Sequence, residues 1–154
     1  MSDLSIAMLL HVLGVIWWIG GLTFVTLVLL PELRRDPTTA QQRLRAVESR
    51  FAPQVRAALL VVGASGGWML YRLGLWQVLH VPAFWWLGAM LALWTVFFLM
   101  LFVLGPIGVL KRIMSGPTEQ NVAQRLARMH YLHILLWILA VITVAGAVVG
   151  SHGF

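Results

Sequence analysis

The residues of this sequence best suited to bind a metal or a haem are its five histidines, and two of them begin similar stretches. His11 begins HVLGVIWWIGGL and His80 begins HVPAFWWLGAML. A neutral imidazole is a good ligand for haem iron or copper. The repeated spacing therefore predicts that both imidazoles are ligands. The alternative is that His11 bonds a backbone carbonyl and that His80 lies in an interfacial loop before Pro82.

A second pair of histidines, His130 and His133, lies in ARMHYLHILLW at positions i and i+3 of one helix face. The helix would place them near the opposite membrane surface from His11, so they cannot share one iron with it. They serve either a second, inner site, completed by another protomer or a partner subunit, or they lie among the lipid headgroups. His152 reads as a solvated terminal residue.

Other side chains could complete a site around His11. Met8 lies one helical turn away and, with Met69 and Met90, offers soft sulfur ligands for Cu(I). Trp18 would shape a pocket, and Arg72 would pair with the anionic edge of a cofactor, unless it only extends to the interface. The absence of cysteine excludes disulfides, thiolate ligation of haem and iron–sulfur clusters within this chain.

The elements that position these residues must lie in a membrane. Hydrophobic residues make up 60% of the chain and charged residues 10%, with a mean hydropathy of +0.89. A helix needs about 20 apolar residues to cross the hydrocarbon layer. Four segments qualify, so we predict a single domain over residues 1–154, all-α and embedded in the lipid bilayer, with spans at 6–30, 54–76, 83–106 and 129–150.

The basic residues indicate how these spans are oriented. Only Arg72 lies near one face; the other ten flank the first and third connections, namely Arg34, Arg35, Arg43, Arg45, Arg50, Arg56, Lys111, Arg112, Arg125 and Arg128. Cytoplasmic connections are enriched in Lys and Arg. The count predicts a multi-pass protein of a bacterial-type inner (plasma) membrane with both termini extracytoplasmic. The net charge of +6 thus has an explanation, and no nucleic-acid motif accompanies it.

Proline and glycine divide the connections. Asp36 and Pro37 fit the N-cap and first residue of a short surface helix, and Pro53 is predicted to end that helix and begin the second span. Gly116 and Pro117 repeat this punctuation before TEQNVAQRLARM, which leads to the last span at Met129.

The similarity of the two histidine stretches extends to a larger repeat. The features His-Val, Trp-Trp, glycine, proline, a basic pair and Pro-Thr recur in the same order over about 4–76 and 80–150. We therefore predict two parallel helix-hairpin repeats that form an up-down four-helix bundle. The first and third helices would be diagonal partners, so His11 and His80 would face each other across the bundle at similar depth.

The pattern formed by His11, Trp18, Gly20 and Gly21, followed by Pro31 and by RFAPQVRAALLVVGASGGW, resembles the copper resistance D (CopD-like) membrane domain. The same frame is similar to the HemJ-type protoporphyrinogen oxidases. This resemblance implies a four-helix membrane protein that handles haem b or copper, with His11 as the shared residue. The last span has His130-Tyr131-Leu132-His133 where a HemJ-type enzyme has Asn-Glu-x-Pro, which favours electron transfer over protoporphyrinogen oxidation.

Three functions fit these observations. The first is a cytochrome b-like electron carrier that binds haem b through His11, His80, His130 and His133 and works with a redox partner protein, a partner subunit or a second copy of itself. The second is copper transport or handling with His11, His80 and Met8 as ligands. The third is an assembly subunit without a cofactor.

Overall fold

The structure is a computed structural model that describes residues 2–105 and 119–151, with side chains described for 2–105 and 122–150. Helical conformations account for nearly all of these residues, and no strand occurs in the two ranges. The predicted all-α class is therefore confirmed. The predicted features at Pro106, Lys111, Arg112, Gly116, Pro117 and His152 lie outside the described residues.

The first span is the start of one long rod. Helix α1 (Asp3–Phe24) continues through a π-helical segment (Val25–Leu29) into α2 (Leu30–Arg35). Ser2 caps the start, since its Oγ accepts the backbone N–H of Ser5 at 3.2 Å. The rod ends at Asp36, whose φ of −131° is not helical. The predicted span 6–30 lies wholly inside it.

Helix α3 (Pro37–Arg72) corrects two predicted boundaries. It begins with Asp36 and Pro37 as expected, but it passes through Pro53 without ending there, so the surface helix and the second span are one helix. Proline removes one backbone hydrogen bond, here to the carbonyl of the exposed Ser49, where solvent or headgroups can replace it. The helix ends at Arg72, four residues before the predicted end of the span.

The second half of the chain begins with a tight turn. Gly74 has a φ of 64°, a conformation that favours glycine. Two 3₁₀ segments follow (Leu75–His80 and Pro82–Phe84), then α4 (Trp85–Phe98) and a second π-helical segment (Leu99–Leu104). Helix α5 (Glu119–Ser151) contains the predicted last span without a break at Met129, because nothing in its sequence interrupts helical hydrogen bonding there.

The two π-helical segments occupy corresponding places in the two predicted repeats. Pro31 follows Leu29 by two residues, and Pro106 follows Leu104 by two residues in the sequence. Proline has no N–H to donate to the carbonyl four residues earlier, which lies within each π-helical segment. The wider turn thus recurs where a proline follows in the sequence, and the duplication of the hairpin stays a prediction.

The helices pack as two antiparallel hairpins placed side by side. Helix α1 lies along α3 and α4 lies along α5, while α5 also contacts α1 and α2, and α4 also contacts α3. Trp18 of α1 meets Phe97 of α4 edge to face, with ring centroids 5.0 Å apart. The main core contains both side chains, together with Leu22, Ala58, Leu59, Val62 and Ala140. The diagonal relation of the first and third helices stays a prediction.

Within residues 2–105 and 119–151, three helical stretches are long and apolar enough to cross a membrane: Asp3–Arg35, Pro82–Leu104 and Val122–Gly150. Their outward faces are rich in large apolar side chains, among them Ile16, Trp17, Leu99 and Ile142. Helix α3 is not apolar enough to be counted among these stretches. Its first half is strongly charged, and its second half contains Gly63, Ser65, Gly66 and Gly67, which dilute its hydropathy.

Candidate cofactor site

His11 lies against α3, half-buried, with its ring anchored by the backbone. Its Nδ1 lies 3.1 Å from the carbonyl oxygen of Val62 and 3.3 Å from Oγ of Ser65. A carbonyl oxygen only accepts, so Nδ1 carries the hydrogen and donates it. The lone pair of the neutral ring is then on Nε2. A second-shell carbonyl that fixes the tautomer in this way is usual for metal-binding histidines.

Gly66 makes room for the His11 ring. A Cβ at position 66 would lie 3.0 Å from Cε1 and 3.2 Å from Nδ1 of the imidazole, closer than nearly all Cβ contacts in proteins. At Gly67 a Cβ would meet nothing within 4 Å. One of the two adjacent glycines is thus required by the position of the imidazole. Neither Val62, Ser65 nor Gly66 was identified as a site residue from the sequence.

His80 is not brought next to His11. It ends the first 3₁₀ segment and its side chain is exposed. No hydrogen bond or ring contact joins it to His11 in the described part of the chain. The position agrees with the interfacial-loop alternative, and Pro82 starts the next helical segment as expected. The pairing of His11 with His80 on one iron stays a prediction.

The imidazole of His130 binds Arg34 instead of pointing to an open site. Nη1 of Arg34 donates to Nδ1 of His130 at 2.9 Å, and the same guanidinium lies over the Tyr131 ring at 5.9 Å. Because arginine can only donate, Nδ1 of His130 is the acceptor and its hydrogen is on Nε2. This arrangement ties α2 to α5 and occupies the lone pair that a metal would need.

His133, one turn along α5, has the same tautomer as His11. Its Nδ1 donates to the carbonyl of Met129 at 2.8 Å, which leaves the lone pair on Nε2. Trp137, a further turn along, donates from Nε1 to Oγ1 of Thr23 at 3.0 Å. His133 therefore lies beyond the level of Thr23, about 18 Å or more along α1 from His11 at 1.5 Å per residue. This distance agrees with the prediction that His133 and His11 lie too far apart to share one iron.

Arg72 already has a partner within the chain. Its Nε lies 2.9 Å from Oδ2 of Asp3, in a salt bridge with both side chains about half exposed, and its guanidinium lies over the Trp68 ring at 5.9 Å. The salt bridge joins the outer ends of α1 and α3. The role predicted for Arg72 on a cofactor would compete with this pair.

Trp18 and Met8 differ in their exposure on α1. Trp18 is only 4% exposed and packs in the core, whereas Met8 is 59% exposed on the outer surface. The buried Nε1 of Trp18 has no hydrogen-bond partner among the described residues. Within those residues no group of three or more His, Cys, Asp or Glu side chains converges on one point.

The structure shows where Arg56 lies along α1. The sequence places it both among the arginines that flank the first connection and inside the predicted span 54–76, and α3 continues through Pro53 and brings it alongside the middle of α1. Ala58 of α3 lies against Gly14, and Phe51 lies against Gly21. The Nε of Arg56 is buried and, like that of Trp18, has no hydrogen-bond partner in the described ranges.

Comparisons with protein-family models, with curated proteins and with solved structures find no match to this chain. The similarity to CopD-like domains and HemJ-type oxidases stays a prediction from the residues quoted above.

Proposed function

We propose that this chain is a membrane-embedded haem-b-binding protein that transfers electrons within, or to, a membrane redox system. The observation that carries the proposal is the hydrogen bond from Nδ1 of His11 to the Val62 carbonyl, which leaves Nε2 free to bind a metal. When bound, the haem iron would take up and release one electron. His11 is the proposed axial ligand, and Gly66 leaves space for its imidazole.

The nitrogen donors of His11 and His133 suit haem iron better than the residues predicted for copper suit copper. Copper handling would use Met8, which faces away from the bundle core. His133 offers a second free Nε2 near the other surface, suited to an inner haem shared with a partner. His80 remains the proposed second ligand to the outer haem, and His130 could join the inner site only after releasing Arg34.

The proposal includes four membrane spans, with α3 as the fourth. Helix α3 packs along α1, and the Asp3–Arg72 pair joins their ends, so the apolar second half of α3 runs alongside the apolar part of α1. The positive-inside rule then supports cytoplasmic connections and extracytoplasmic termini in a plasma membrane.

An optical spectrum of the purified protein, oxidised and then reduced with dithionite, tests the function. We expect a sharp reduced alpha band and a Soret shift. In His11→Ala we expect loss of haem or a high-spin spectrum, whereas His130→Ala, the matched control on the Arg34 side, should keep the outer haem. Haem is counted by pyridine haemochromogen per folded protein.

Three results would contradict the proposal. Full haem with an unchanged low-spin spectrum in His11→Ala would show that His11 is not the ligand. Bound copper with a featureless visible spectrum would favour copper handling. Protein that carries neither would favour an assembly subunit.

A further inference from the structure

Arg56 lies beside the most deeply embedded part of α1. The contacts of Gly14 with Ala58 and of Gly21 with Phe51 set the antiparallel register of α1 and α3. Arg56 falls between Phe51 and Ala58, so it is level with the stretch of α1 between its two contact glycines. That stretch is free of charged residues.

Helix geometry gives this position a depth. From Arg72 to Arg56 is 16 residues, or about 24 Å along α3 from the Asp3–Arg72 pair. From Asp3 to Glu32 is 29 residues, or about 43 Å between the charged ends of the first rod. A hydrocarbon layer of about 30 Å that starts at the Asp3–Arg72 pair contains the Cα of Arg56, about 6 Å inside its far boundary, and leaves Arg50 and Glu48 outside.

None of the Asp and Glu residues in the described ranges 2–105 and 119–151 lies at this depth. Asp3 and Glu32 mark the two ends of the rod and are paired with Arg72 and Arg35. Glu48 lies eight residues before Arg56 on α3, about 12 Å nearer the Pro37 end. The remaining acidic residues, Asp36 and Glu119, lie beyond the ends of α2 and of the apolar part of α5.

Two buried donors at this depth have nothing to donate to. The Nε of Arg56 and the Nε1 of Trp18 are both inaccessible to solvent and without a hydrogen-bond partner in the part of the chain that is described. Trp18 lies on α1 between Gly14 and Gly21, packed on Ala58 and Leu59. Buried polar groups are nearly always hydrogen-bonded, and a charge inside a membrane marks a functional site by default. Both groups only donate, so the missing partner is an acceptor.

We propose that Arg56 and Trp18 bind a carboxylate that an amphipathic ligand carries into the apolar layer. A carboxylate is an acceptor-only group and neutralises the guanidinium. A phospholipid phosphate is held at headgroup level, near the ends of the rod, which argues against it. The carboxylate can come from a haem propionate or from a free fatty acid. The first source rests on the proposed haem function, and both rest on the four-span arrangement.

Reconstitution with esterified haem tests the first source. The full-length protein, freed of haem in detergent, is titrated with haem and with haem dimethyl ester, whose propionates carry no charge. We expect the wild type to prefer haem over the ester by about tenfold or more, because a hydrogen bond to a charged group is lost with the ester. In Arg56→Gln the preference should fall to about one, and in Arg56→Lys it should be intermediate. Trp18→Phe should reduce it only a few-fold.

The matched control is Arg45→Gln, which removes an exposed charge from the same helix near the other end. It should keep the wild-type preference. Circular dichroism and the thermal midpoint establish that each variant is folded. A preference for haem that is the same in the wild type and in Arg56→Gln rules out the propionate source.

Binding of oleate, followed by native mass spectrometry of the protein without haem, tests the second source. Oleate that is lost in Arg56→Gln but kept in Arg45→Gln supports the carboxylate site even if the protein binds no haem, in which case only the haem function fails. Haem binding without preference for the free propionates, together with oleate binding that is independent of Arg56, overturns the carboxylate site and leaves the haem function standing. Binding of neither molecule overturns both.

Discussion

His11, His130 and His133 differ in the hydrogen-bond partner of their Nδ1 atoms. His11 and His133 each donate from Nδ1 to a backbone carbonyl, whereas Nδ1 of His130 accepts from Arg34. Since a neutral imidazole has one donor and one acceptor nitrogen, the partner of Nδ1 decides whether Nε2 can bind a metal. Of these three rings, the first two leave Nε2 free to bind a metal.

Replacing Gly66 by alanine should disturb the His11 ring directly. The new methyl group would lie 3.0 Å from Cε1, so the ring must shift and its bond to Val62 must lengthen. Changes in the groups that orient a metal-binding histidine typically cost about 10- to 100-fold in affinity. We expect a haem loss of that order, measured by titration of the haem-free protein.

The adjacent glycine provides the control for this substitution. Gly67→Ala adds the same methyl group in the same helix, where it meets nothing within 4 Å. It should bind haem as the wild type does. Equal losses in the two variants would mean that the helix backbone, and not the ring of His11, is responsible.

The salt bridge between Arg72 and Asp3 should contribute little to stability. Both side chains are about half exposed, and such pairs contribute about 0–1 kcal/mol. We expect Arg72→Gln and Asp3→Asn to lower the free energy of unfolding in mixed micelles equally, by less than about 1 kcal/mol, and to keep haem. Loss of haem in Arg72→Gln alone would instead assign Arg72 to the cofactor.

At the scale of the helices, the sequence predicted what depends on local patterns. The apolar run that forms α1, the start of α3 at Asp36 and Pro37, and the turn before α4 follow from residues close in the chain. The continuation of α3 through Pro53 does not, because it depends on how that helix packs against α1. The level of Arg56 along α1 does not follow from the sequence either, because it is set by the register of the two helices.

The same limit applies to the candidate site. The histidines stand out by type and spacing, so they could be identified without a structure. The Val62 carbonyl and Gly66 could not, because a backbone acceptor and a missing side chain become informative only once α1 and α3 are aligned. The small residues of the stretch 63–67 allow a neighbouring helix to approach closely, but they do not say which helix or at what level.

Helix α1 carries an adjacent glycine pair that tests its packing on α3. A Cβ at Gly21 would lie 2.5 Å from Cζ of Phe51, whereas a Cβ at Gly20 would meet nothing within 4 Å. Overpacking typically costs about 1–3 kcal/mol. We expect Gly21→Ala to lower the free energy of unfolding in SDS titrations by that amount and Gly20→Ala to leave it nearly unchanged. The reverse order would contradict the helix register on which the depth of Arg56 depends.

The start of α3 should respond to acid. The hydroxyls of Thr38 and Thr39 donate to the Asp36 carboxylate at 2.5 and 2.6 Å and hold its pKa below the ordinary range. A group whose pKa is lowered by folding contributes stability that is complete above its unfolded pKa, about 4, and that is lost as the pH falls through the folded pKa. We expect the backbone amides of residues 38–41 to exchange faster with deuterium in this acid window, relative to their intrinsic rates.

Asp36→Asn serves as the comparison, because an amide does not titrate. Its protection over the same amides should be independent of pH below about 4. A wild-type profile that matches the variant would show that the Asp36 carboxylate does not stabilise this helix start.

For the whole molecule, the distribution of charge relates the bundle to the membrane. Arg34 and Arg35 end the first rod, and Arg34 binds His130, so the basic start of α5 lies at the same end as the basic start of α3. The opposite end holds the Asp3–Arg72 pair and the exposed His80. Within the described residues, charges lie at the two ends of the bundle and along the first half of α3, and Arg56 is the member of that series nearest the middle of α1.

This distribution of charge predicts the orientation. The end rich in arginine should be cytoplasmic, so a reporter active only in the cytoplasm should be inactive after Phe154 and active when inserted after Ser49. An inactive insertion at Ser49 with an active fusion at Phe154 would reverse the bundle and place His11 and His80 on the cytoplasmic side. The depth of Arg56 would not change, because it is measured along α3 from the Asp3–Arg72 pair, whichever side of the membrane that pair faces. The orientation therefore decides from which side of the membrane an electron reaches the proposed haem. The proposed carboxylate site does not depend on the orientation.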